Sequence, residues 1–108
     1  MTQSHYEQVG QCVFGAHRLE GALSAARDAM AAAPQQPDAA LGARVDDMLL
    51  SVNGMLAESV SLRHDSADGV AGLLERVRAA HLSVADLLDQ LGLEQGMASR
   101  LRERAVQI

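Results

Sequence analysis

The chain has 108 residues, enough for one domain with a core of its own. Its net charge is −5 and all nine basic residues are arginine, a balance that argues against a broad, non-specific grip on nucleic acid or an anionic membrane. Hydrophobic residues make up 48%, too many for a disordered chain. With Cys12 as the only cysteine no internal disulfide can form, so a reducing, cytoplasmic setting is expected.

The apolar mass is Leu, Ala, Val and Met, with Tyr6 and Phe14 the only aromatics and Ile108 the only isoleucine. Such side chains, Val apart, lose little freedom in a helix, which favours helices over strands. Val9, Cys12, Ala16, Leu19, Leu23, Ala26, Met30 and Ala33 recur at spacings of three and four, predicting a helix over about 4–33. Gly10, Gly15 and Gly21 lie off this stripe, each costing the helix roughly 1 kcal/mol relative to Ala. Pro34 and Pro37 end it, and Asp38 is placed to cap the next. A second stripe through Leu41, Val45, Met48, Val52, Met55 and Leu62, widened by Leu49 and Leu56, predicts a helix over 38–62. Asn53-Gly54 is ordinarily a turn signal, but the spacing runs through it.

The pattern lapses around Arg63 to Gly69, where Asp65 and Asp68 resemble a capping box. The strongest stripe follows, Val70, Leu73, Leu74, Val77, Ala80, His81, Val84, Leu87, Leu88 and Leu91, predicting a helix over 66–91 closed by Gly92 as a left-handed cap. A short helix over 94–106 carries Met97, Leu101 and Ala105. The expected fold is all-α, an elongated self-associating bundle of three main helices plus a short C-terminal one. A helix of about 28 residues is roughly 42 Å long, longer than a compact globule of this size is wide. The Ala-rich first seam supplies little apolar area, so pairing into a homodimer is expected to complete the core. No apolar run approaches the ~18 residues of a membrane span, and the first residues lack the basic and apolar regions of a signal peptide.

The leading functional expectation is a non-enzymatic interaction module, an adaptor or regulator that binds and sequesters another protein. Leu19, Leu23, Val52, Met55, Val77 and Leu88 are the seam positions expected to pack, within the chain or against a partner. Met30, Met48, Met55 and Met97 all fall on seams, where methionine fills core gaps or adapts to a partner. No cofactor is called for, and the spacing of His5, Cys12 and the other histidines gives no metal site.

Two segments carry more specific patterns. In residues 82–101, Ser83 is placed to cap a helix, Gly92 to make a turn, Leu93 to follow it, and Ala98 and Leu101 to anchor a second helix. This segment resembles the helix-turn-helix of bacterial and phage repressors. The resemblance implies DNA binding, with Gln95, Ser99 and Arg100 toward the major groove and Arg102 and Arg104 near phosphates. The acidic balance makes this the alternative. Ala16-His17-Arg18-Leu19-Glu20-Gly21 is similar to the phosphoacceptor segment of histidine phosphotransfer domains, Ala-His-x-Leu-Lys-Gly, with Glu20 in place of the lysine. That implies phosphorylation of His17, a minor alternative. His81, on the third apolar face, is expected to be a neutral, hydrogen-bonded core histidine; a pH-sensitive contact is the functional alternative.

Overall fold

Four helices follow one another in the computed structural model: α1 His5–Ala32, α2 Ala39–Ser61, α3 Ala67–Leu91 and α4 Gln95–Gln107. The structure describes residues 5–32, 39–61, 67–92 and 95–108; all of these except Gly92 and Ile108 are helical. The four helices expected from the periodicity are thus present, with limits within one residue of those predicted. Asn53 and Gly54 lie inside α2, and Gly69 belongs to α3 rather than to a loop. Pro34, Pro37, Asp38, Asp65 and Leu93 fall outside the described residues.

The helices lie side by side in an elongated bundle measuring 48 × 23 × 16 Å. α1 packs against α2 and α3, α2 also touches α3, and α4 packs on α3. Leu19 and Leu23 from α1, Val45, Leu49 and Val52 from α2, Leu87 and Leu88 from α3, and Ala98 and Leu101 from α4 meet in the larger core cluster. Burying a Leu or Val side chain is worth roughly 1.5–3 kcal/mol, so this cluster dominates the stability. A second, smaller cluster joins Val9 and Cys12 to Val70, Leu73, Leu74 and Val77, with Val13, Met55 and Ile108 against it. The seam positions Leu19, Leu23, Val52, Val77 and Leu88 are buried within one chain, and Met55 is partly so. Of the Ala-rich seam, Val9, Cys12, Ala16, Leu19, Leu23 and Ala26 are likewise buried within the chain.

At Gly15 α1 packs tightly against α3. Gly15 is buried here, and a Cβ at this position would stand 2.7 Å from Val77 Cγ1 and 3.3 Å from His81 Cε1. A glycine that costs α1 some intrinsic stability therefore permits the helix–helix approach. At the far end of α3, Gly92 takes a φ of +67°, and its N–H donates to the Asp89 carbonyl at 3.1 Å. That left-handed cap turns the chain back, and α4 retraces α3. Arg102 reaches Asp86 and Asp89, and the end of α4 comes level with His81 through the cleft that Arg104 shares with Arg18. The arrangement is an antiparallel hairpin, whereas the helices of a helix-turn-helix cross at roughly 90–120°.

The two kinds of glycine give opposite expectations. Gly15→Ala forces Val77 or the helix backbone to shift and should lower the unfolding free energy by about 1–3 kcal/mol in urea titration. Gly21→Ala, where a Cβ meets nothing within 4 Å, should raise it by roughly 0.5–1 kcal/mol. Equal effects at the two positions would refute the close approach at Gly15.

Candidate functional site

His81 is fully buried, yet both its ring nitrogens are satisfied. Nη1 of Arg18 lies 3.0 Å from Nε2, and the Val77 carbonyl lies 2.7 Å from Nδ1. A guanidinium can only donate, so Nε2 accepts and the proton sits on Nδ1, which donates to Val77. Burial, opposed in part by the Val77 hydrogen bond and reinforced by the Arg18 charge, holds the imidazole below its ordinary pKa of 6.5. The neutral core histidine expected from the sequence is present.

Arg18 extends from this buried contact toward solvent. Together with Gln11 and Phe14 of α1, and Arg104, Gln107 and Ile108 at the end of the chain, it lines a cleft of about 170 Å³ between α1 and α4. Burial, and then the charge of Arg104, lower the pKa of Arg18 from the usual guanidinium value. Four of the other described arginines are paired with acids. Arg76 pairs with Glu58, Arg78 with Glu75, Arg27 with Asp46, and Arg102 with both Asp86 and Asp89. Arg44 donates to Gln90 at 2.8 Å. Arg18 has its hydrogen bond to His81, and Arg104 has one to Gln107 Oε1 at 3.3 Å. Among the described residues neither has a carboxylate in ion-pair range. At the same cleft Gln11 Oε1 is buried without a hydrogen-bond donor. Such an orphaned acceptor costs about 1–3 kcal/mol.

No protein-family model, curated protein or solved structure matches this chain. Function therefore has to be read from its own geometry.

The residues singled out in the sequence are dispersed. Ser99 and Arg100 are exposed on α4, and the side chain of Gln95 lies outside the description. Arg102 is engaged by Asp86 and Asp89, which a phosphate would have to displace. Arg104 instead faces the cleft with Arg18. His17 is exposed on α1, pointing away from the core that Ala16 and Leu19 enter. Cys12 is buried, and desolvation pushes its thiol up to about 11, against the lowering influence of Arg76, so it is held as a neutral thiol. A larger open groove of about 440 Å³ runs between α1 and α2 past Glu20, Arg27, Asp46 and Leu50, and its one arginine, Arg27, is already paired with Asp46 at 3.9 Å. Sequence reasoning missed Arg18, Gln11 and Phe14. Their positions off the apolar stripe were the available signal, but nothing in the spacing brings them to Arg104.

Because the buried imidazole takes a proton only at lower pH than the unfolded one, its contribution to stability is whole above pH 6.5. That contribution is lost as pH falls below 6.5 toward the lowered folded value. Urea unfolding between pH 7.5 and 5 should show this decline, at most about 1.4 kcal/mol per pH unit. His81→Gln should flatten it. An equal slope in the variant would assign the decline to other groups.

Proposed function

We propose that the chain is a non-enzymatic interaction module that binds another protein through the outer faces of α1 and α4. The observation that carries the reading is where the two aromatics lie. Tyr6 is 72% exposed and Phe14 is 69% exposed, two turns apart on α1, while the core is built from Ala, Val and Leu. An aromatic ring offers the largest apolar area of any side chain, roughly 150–250 Å², and a chain of this size ordinarily spends it inside. Placed outside, such rings serve as anchors in a partner's pockets, where aromatic residues are enriched and often carry most of the binding energy. Val106 is 86% exposed on α4, and the partly exposed Ile108 brings apolar character to the cleft wall facing Phe14.

A photoreactive phenylalanine analogue in place of Phe14 should crosslink the native chain to a discrete second protein in cells. Combined Tyr6→Ser and Phe14→Ser substitution should weaken recovery of that protein at least tenfold while the chain keeps its helical circular dichroism, because neither ring belongs to the apolar core. Absence of any crosslink, or retention of the partner by the double variant, would refute the reading.

A further inference from the structure

Within an acidic protein, Arg18 and Arg104 converge on one cleft whose described lining holds no Asp or Glu side chain, whereas Arg27, Arg76, Arg78 and Arg102 each pair with an acid. Like charges brought together on a folded surface cost free energy, and a bound anion removes that cost. The cleft is small. At about 170 Å³ it falls below the roughly 300–1,000 Å³ that hold a cofactor or drug-sized ligand, so it suits one side chain rather than a whole small molecule. Its walls are of two kinds: guanidinium and amide groups from Arg18, Arg104, Gln11 and Gln107, and apolar surface from Phe14 and Ile108.

We propose that this cleft recognises a carboxylate side chain, an aspartate or glutamate, on the partner protein, flanked there by an apolar residue that lies against Phe14 and Ile108. The inference rests on the interaction reading above and specifies the chemistry of its partner. Guanidinium groups bind carboxylates through charge-assisted hydrogen bonds, often bidentate, and these are stronger than neutral ones. Arg18 is suited to hold one because its Nη1 is already fixed on His81 Nε2, so little side-chain freedom remains to be lost. Arg104 sits on the opposite wall and needs only to exchange the long 3.3 Å contact to Gln107 for the stronger one.

The test uses a fragment that needs no identified partner. The intact chain is titrated with N-acetyl-leucine, which joins a carboxylate to an apolar group, and in parallel with the neutral N-acetyl-leucinamide, following side-chain NMR signals. Expected are saturable shifts at the Arg18 and Arg104 Nε–H groups, the Gln11 amide and the Phe14 ring with the acid, at least tenfold weaker with the amide. Arg104→Gln should weaken acid binding at least tenfold, leaving the urea midpoint unchanged. Arg18→Gln should do the same, and because it also strands His81 Nε2 its folding is checked separately. Equal shifts by acid and amide, no shifts at these groups, or equal binding of sulfate would overturn the proposal, the last by making the cleft a general anion site. Self-association abolished by Arg104→Gln would overturn it too, by making the occupant a second copy. Partner capture that needs Phe14 but survives Arg104→Gln sinks this inference alone. Acid binding without any partner sinks the interaction reading, and with it the assignment of the carboxylate to a partner protein, leaving only a carboxylate site.

Discussion

One buried imidazole organises the middle of this bundle. His81 stands between two apolar clusters, where a polar ring costs several kilocalories per mole unless both nitrogens find partners. The carbonyl one turn back satisfies Nδ1, and Arg18 from the neighbouring helix satisfies Nε2. The first bond lies within α3, but the second requires α1 to come close, and it can because residue 15 has no side chain. Glycine, histidine and arginine thus form a single constraint that sets the register of α1 on α3. Apolar packing alone would leave that register poorly fixed, since Ala and Val seams slide with little change in buried area.

The same constraint delivers a charge to the surface. With Nη1 held inward, the rest of the Arg18 guanidinium sits at the mouth of the α1–α4 cleft, and the Gly92 turn brings Arg104 to the other side. The cleft is therefore a product of core geometry rather than of a loop. Its polar atoms are mounted on helices, which hold position more firmly than loop residues do. The aromatic surface of α1 lies alongside, so apolar and cationic elements share one region of the molecule.

Much of the fold was legible because helical periodicity is a local property: each stripe, the Gly92 cap and the unbroken helix through Asn53-Gly54 could be read from neighbours in sequence. His81 was legible for the same reason, since its place on an apolar stripe dictated burial. The cleft was not. Arg18 and Arg104 are brought together by the packing of α1, α3 and α4, and no spacing along the chain encodes that meeting. Likewise Gly15 read as a defect in α1, because its benefit lies in Val77 and His81 of another helix. The helix-turn-helix resemblance over 82–101 placed the Gly92 turn correctly, but Ser83, its expected helix cap, lies in the interior of α3. It could not foresee that α4 folds back along α3, a choice made by Leu101, Ala105 and Ile108 finding the core and by Arg102 meeting Asp86 and Asp89.

Placing both rings outside has an optical consequence. The chain has no tryptophan, and its interior holds no phenyl or phenol group. Near-ultraviolet absorption and emission therefore come from chromophores bathed in solvent, and are almost blind to melting of the interior. The same signals respond when the surface of α1 is covered, so in this molecule intrinsic light reports contact rather than collapse.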